Sequence, residues 1–170
     1  MGCFFMLSCE NDLKDVERLS KDRLGIEEIT GVETIYTTGG NLRAILHSPL
    51  MLRYQLDTPK MEFPKTLHVV FYDSLKRFES DLFAKYGRYM ENENRVYLRD
   101  SVVVFNVKKD TLKTNELWWD QQKALFYSNK PVTIIQQDKT IYGDGMVSNE
   151  DFSNMTITNP KGLVSVPDTL

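Results

Sequence analysis

The sequence predicts an all-β domain, a stack of antiparallel strands that share one long apolar interior. Three observations carry this reading. From Thr34 onward, segments of about six to ten residues alternate apolar and polar positions and are broken by Gly, Asn, Asp, Lys or Pro, the signature of strands and turns. The pattern returns at an offset of 30 residues, which brings Tyr89 onto Trp119, Val96 onto Phe126, Val102 onto Val132 and Leu117 onto Val147. A fixed period of this size marks stacked units that cannot bury their apolar faces alone. Finally, helical spacing is confined to the N-terminal Glu10–Glu28.

Taken in order, residues 1–8 form an apolar stub, Phe4-Phe5-Met6-Leu7-Ser8, that stops at Cys9. It is far shorter than the roughly 20 apolar residues that span a bilayer. It reads as the remnant of a lipoprotein-type signal: Ser8 is small enough for cleavage behind it, and Cys9 becomes an acylated N-terminus. The basic region that such a signal needs would come from a start upstream of Met1; the alternative is an uncleaved apolar terminus. Residues 9–32 read as a tether, weakly helical through Leu13, Val16, Leu19 and Leu24, with Gly25 as the stop. The β domain is expected over 33–158. Its strands are Glu33–Thr37, Leu42–Tyr54, Leu67–Tyr72, Arg77–Tyr89, Arg95–Leu98, Val102–Val107, Thr111–Trp119, Ala124–Tyr127, Val132–Gln136, Thr140–Met146 and Met155–Thr158. Turns fall at Thr38–Asn41, Met90–Asn94, Lys108–Asp110 and Gln137–Lys139, rich in residues that turns favour. Residues 159–170 read as a flexible tail.

Composition bounds the chemistry. The chain has 170 residues, enough for one domain with a real core, and its net charge of −3 gives no pull toward nucleic acid. Both cysteines, Cys3 and Cys9, lie in the stub, so no disulfide is expected to hold the fold. The two histidines, His47 and His68, sit among apolar residues and read as surface positions on strands; they are too few for a metal site. No nucleophile elbow, metal-spaced cluster or phosphate loop occurs. Neither catalytic residues, nor a metal, nor a cofactor is therefore expected. Gly143-Asp144-Gly145 reads as a bend or bulge. Asp81, Asp100, Glu116 and Asp120 read as solvated charges at strand ends and turns.

What the sequence offers is apolar surface. Alternation puts Leu67, Val69 and Phe71 on one face, Leu82, Ala84 and Tyr86 on another such set, then Val96 with Leu98 and Val102 with Val104. Phe126, Ser128, Val132 and Ile134 take the same places thirty residues on. Val103, Phe105 and Val107 make the opposite face apolar too. A groove lined by Phe63, Leu67, Val69, Phe71, Ala84, Val102, Val104, Phe126, Val132 and Ile134 would hold alkyl chains, each buried methylene contributing about 0.8 kcal/mol. Phe63, just before Pro64, is expected at the rim, and Ala84 is small enough to leave room for a chain.

The ordered succession SPLMLRY, MEFPKTLHVVFYD, AKYGRYMENENRVYLRDSVVVFN and LKTNELWWDQQKALFYSNKPVTII resembles the LptC family, periplasmic components of lipopolysaccharide export within the wider OstA-like group. The resemblance covers Glu33–Thr158. It implies a twisted, open β-jellyroll whose apolar groove accepts the acyl chains of lipopolysaccharide. It also implies partners: the inner-membrane subunits of an ABC transporter on one side and a soluble, periplasmic OstA-like bridge protein on the other. Many members begin with a transmembrane helix. Here an acylated Cys9 is expected to take its place as the inner-membrane anchor. Two other readings stay open: a structural lipoprotein that joins neighbours edge to edge without bound lipid, and a small enzyme or glycan binder, for which Trp118 and Trp119 are the candidate platform.

Overall fold

A computed structural model describes residues 25–55 and 58–164 of the chain. Their fourteen strands form one continuous antiparallel sheet, a β-jellyroll. Its order is simplest in units that run from one edge of the sheet to the other. Four are unbroken strands: β1 (Ile26–Thr38), β2 (Asn41–Tyr54), β7 (Arg95–Asn106) and β8 (Thr111–Asp120). The others are pairs of short strands: β3 (Lys60–Phe63) with β4 (Leu67–Tyr72), β5 (Phe78–Ala84) with β6 (Tyr86–Met90), β9 (Leu125–Ser128) with β10 (Val132–Ile135), β11 (Lys139–Gly143) with β12 (Gly145–Asn149), and β13 (Met155–Thr158) with β14 (Lys161–Val164). Each of these nine rungs pairs with the next in chain order.

Every rung bends near its middle, so the sheet folds into two facing halves along a line of corners. The corners explain the repeat. On β7, Asp100 and Ser101 take left-handed backbone (φ 64° and 55°) and the register with β8 slips there. Asp tolerates this conformation better than most residues. Inward-facing hydroxyls take up backbone groups that the bend frees. Ser48 donates to the Thr66 carbonyl at 2.9 Å, Thr114 to the Pro131 carbonyl at 3.0 Å, and Ser128 accepts the Lys130 amide at 3.1 Å. Between the halves, Phe71 of β4 meets Phe126 of β9 edge to face at 5.7 Å, and Tyr36 of β1 meets Trp119 of β8 at 5.2 Å.

Several expectations change. The β domain starts at Ile26 rather than at 33, because β1 pairs along its whole length with β2. The helical reading of Glu10–Glu28 therefore fails for its last residues, and its remainder lies outside the described residues, as do the stub and Cys9. Residues 161–164 form β14 rather than tail, pairing with β11. Lys60–Phe63, which is not among the expected strands, is β3, held between β2 and β6. Arg77–Tyr89 and Thr140–Met146 each break at a corner, at Lys85 and Asp144, while Arg95–Leu98 and Val102–Val107 are one bent strand. The corner at Lys85 also shifts parity. Leu82 and Ala84 face inward, but Tyr86 faces out, where Arg88 donates to its hydroxyl at 3.1 Å.

The 30-residue offset holds for Val96 and Phe126 and for Val102 and Val132, all buried. It fails for Leu117 and Val147, which are 0% and 47% exposed. The cause is one residue in a turn. The β7–β8 turn closes from the Asn106 amide to the Asp110 carbonyl; the β10–β11 turn closes from Gln136 to Lys139. The second turn is one residue shorter, so Ile141 stands where Leu112 stood, opposite Ile134 as Leu112 is opposite Val104. Met146, not Val147, takes the inward place.

Candidate functional site

The space between the two halves is the candidate site. Its walls are the inward-facing side chains of successive rungs, and every residue expected to line a groove points into it. Phe63, Leu67, Val69, Phe71, Ala84, Val102, Val104, Phe126, Val132 and Ile134 are all buried. They do not all play one part. Phe63, Leu67, Val69 and Phe71 border a cavity of about 160 Å³ at the N-terminal rungs. Val104 and Ile134 border one of about 270 Å³ at the C-terminal rungs. Ala84, Val102, Phe126 and Val132 border neither and belong to the packing around them. Phe63 is not at an open rim: it is buried, at the end of a strand that lies between β2 and β6, and pairs with Gly87.

An aromatic cluster separates the cavities. Trp119 contacts Phe71 edge to face at 5.3 Å and stacks near Phe126 at 5.7 Å. Phe126 in turn stacks on Phe152 at 5.0 Å. Each such pair adds about 0.5–1.5 kcal/mol beyond its burial. Tyr36, Leu46, Met61 and Tyr89 also border the first cavity, and Leu112, Ile141, Phe152, Met155 and Ile157 the second, although none of them is among the expected lining residues. Leu46 and Met61 carry an alternation signal that was available. Phe152 carries none, since it sits in a polar turn.

The N-terminal cavity is almost wholly apolar, with Thr34 and Gln121 as its polar members. The C-terminal one also meets Asn106, Asp110, Gln136 and Lys139. Beside it, at the mouth where turns from the strand ends of the two halves approach, lies a wider space of about 640 Å³ bordered by Asp73, Arg77, Glu79 and Asp151. Burial pushes the Glu79 carboxyl up from its ordinary value; Arg43 opposes this, while Asp151, Asp73 and Glu150 add to it. Arg43 pairs with Glu150 at 3.2 Å across the mouth.

Charges read as merely solvated prove to be engaged. Asp120 is buried, ion-paired with Arg95 and Lys123, each at 3.5 Å. Glu116 accepts from the Tyr97 hydroxyl at 3.1 Å and from the Trp118 indole at 3.3 Å. On the outer face, His68 contacts Asp81 at 2.7 Å and lies flat on Phe83 at 4.2 Å, so it is a fixed rather than a free surface position. Neighbours on one strand point opposite ways, so Trp118 and Trp119 form no joint platform. Trp118 stacks with Tyr127 on the outside while Trp119 is buried. Among the described residues no group of three or more His, Cys, Asp or Glu is placed to hold a metal ion. Among them, too, no helix is long and apolar enough to cross a membrane.

Among the described residues the arrangement encloses apolar side chains between two sheet faces and gathers charged ones at the mouth. A family model described as "Lipopolysaccharide-assembly, LptC-related" matches residues 8–160. No curated protein matches the chain.

Proposed function

Because the chain belongs to the LptC-related family of lipopolysaccharide-assembly proteins, and so to lipopolysaccharide transport in the cell envelope, we propose that it binds the acyl chains of lipopolysaccharide between its two sheet halves and passes the lipid on. The family is one of transport components rather than of enzymes. The observation that supports acyl binding most directly is the continuity of the apolar interior. One inward face, from Phe63 to Ile134, is buried across both halves and borders cavities at both ends. Alkyl chains gain about 0.8 kcal/mol per methylene in such surroundings, enough for useful yet reversible binding over a few methylenes per rung.

In this reading lipid arrives from an inner-membrane ABC transporter and leaves toward a soluble OstA-like bridge protein. The terminal rungs suit those contacts. Among the described residues β1 pairs with β2 alone, and β13 and β14 each pair on one side. Free edges of this kind add strands from a partner. The same edges favour the second reading, a structural protein that joins neighbours without carrying lipid. Cys9, acylated after cleavage behind Ser8, would hold the domain at the inner membrane. One chain alone anchors weakly, so multiple acylation is expected.

A photo-crosslinking residue in place of Phe126 is expected to label lipopolysaccharide in cells, whereas one in place of Lys123, in the adjacent exposed turn, is not. If no inward position gives a lipid adduct in a folded, membrane-anchored protein, the carrier reading fails and the edge-joining one replaces it. Fractionation of Cys9→Ala tests the anchor: retention in the membrane fraction like the wild type would refute it.

A further inference from the structure

The connection from β12 to β13 leaves one sheet half at Asn149 and returns to the same half at Met155. A turn that only joined two neighbouring strands would stay on its own rim. This one crosses the mouth. Glu150 reaches Arg43 on the opposite half at 3.2 Å, and its other carboxylate oxygen accepts the Trp119 indole N–H at 2.8 Å. Asp151, Phe152 and Ser153 border the mouth together with Asp73, Glu79 and the β7–β8 turn.

Phe152 has left-handed backbone, φ 56°, an uncommon state for a bulky residue that persists only where its surroundings impose it. Here they do. The Phe152 amide donates to the Asn149 carbonyl at 3.1 Å, the Asn154 amide to Asn149 Oδ1 at 2.9 Å, and Ser148 Oγ to the Asn154 carbonyl at 3.1 Å. The ring packs against the core, stacked on Phe126 and bordering the C-terminal cavity with Val104, Ile134 and Met155.

We propose that residues 150–153 form a strap across the mouth, and that the Phe152 ring occupies an alkyl-chain subsite which bound lipid takes over. The inference rests on the carrier reading above and deepens it. An apolar ring that gives way to methylenes keeps the wall of the empty groove covered, so neither state exposes it to water. The strap's ion pair to the opposite half, Glu150 with Arg43, lies at the mouth, where water replaces it when the strap lifts. The ligand class is a single saturated alkyl chain, and the apparent affinity for it is lowered by the fraction of time the strap stays shut.

The test uses the wild-type protein and dansyl-undecanoate as the probe. Amide hydrogen exchange is followed with and without it. Binding is expected to speed exchange at residues 151–154 while slowing it in β9 and β10. Removing the Arg43 tie in Arg43→Gln, or the ring in Phe152→Ala, is expected to tighten probe binding by about three- to ten-fold, as release of a closed-state tax does. If the wild type binds the probe and residues 151–154 are protected or unchanged, the strap inference is overturned, because Phe152 is then ordinary core. A folded wild type that binds no probe overturns the carrier reading instead. Since the exchange measurement needs no variant, a fold defect in Phe152→Ala does not spare the proposal.

Discussion

The two ends of the interior are built from the same kind of wall but closed differently. At the N-terminal rungs the cavity beside Phe63, Leu67 and Phe71 is bounded by rings and aliphatic chains of regular strands, and its edge residue Ile35 is 58% exposed. At the C-terminal rungs the cavity beside Val104 and Ile134 is covered by a turn that crosses between the halves and is tied by Glu150 to Arg43 and Trp119. Repetition of rungs builds a wall; the irregular segment that the repeat does not contain lies over one end of it. The N-terminal cavity, about 160 Å³, is walled by regular strands, and the C-terminal one, about 270 Å³, lies under an irregular turn.

The sharpest way to break that difference is to remove what divides the ends. Phe126 is fully buried and touches Phe71, Trp119 and Phe152 at once. Phe126→Ala is expected to cost about 3–5 kcal/mol and to join the two cavities, read as a lower midpoint in urea. Val104→Asp puts a carboxylate on the apolar wall of the C-terminal cavity, and is expected to cost about 4 kcal/mol or more or to block folding. An unchanged unfolding midpoint in either variant would mean that the two halves do not share one core.

The wall was legible in the sequence and the closure was not. Period-two alternation sets which residues face inward, and Leu67, Val69 and Phe71 obey it without exception. Corners were legible only where residue chemistry marks them, as at Gly143-Asp144-Gly145. At Ala84-Lys85-Tyr86 nothing marks the bend, so the parity of Tyr86 came out inverted. Charge hid the first half of β1, where Glu27 and Glu28 are both exposed on a strand that is held by its partner rather than by its own pattern. The strap was beyond reach for a different reason. Its defining pair, Arg43 with Glu150, is 107 residues apart, and no local spacing encodes such a contact.

A smaller effect separates the ends at their corners. A Cβ on Gly145 would lie 2.7 Å from the Ser128 carbonyl oxygen, a backbone atom that cannot swing aside. Gly31, at the β1 corner, has open space around it but left-handed backbone, φ +63°. Gly145→Ala should therefore displace the β9–β12 pairing and cost about 1–3 kcal/mol. Gly31→Ala should carry only the backbone penalty of about 1–2 kcal/mol. Hydrogen exchange distinguishes them. The first should loosen β9, β12 and β13 selectively, and the second should loosen β1. Equal loosening of all rungs in both variants would argue that the ends do not respond separately.

The smallest expected effect is electrostatic, and it has opposite sign at two glutamates. Glu62 lies on the outer face of β3. Burial there would raise its pKa, but Lys60 at 2.9 Å, Arg88 at 3.0 Å and the Tyr54 hydroxyl together hold it below its ordinary value of 4.5. Glu79, at the mouth beneath the strap, is pushed above that value by burial among other acids, with Arg43 only partly offsetting them. A carboxyl whose folded pKa is depressed contributes stability above its unfolded pKa and loses it as pH falls through the folded one. A raised carboxyl does the reverse: its contribution is present below the unfolded pKa and is lost as pH rises through the folded pKa. Glu62→Gln is therefore expected to destabilise the protein at pH 7 and to have less effect in acid below 4. Glu79→Gln is expected to stabilise it at pH 7, with the gain vanishing below the ordinary carboxylate range. Thermal unfolding at pH 7 and near pH 3.5 reads both. The strap supplies two of the acids that raise Glu79, Glu150 and Asp151, so saturating dansyl-undecanoate should shrink the Glu79→Gln gain at pH 7 and leave the Glu62→Gln loss unchanged. A Glu79→Gln gain that ignores the probe would show that the acids at the mouth stay together when the groove is filled, and that the C-terminal end does not open.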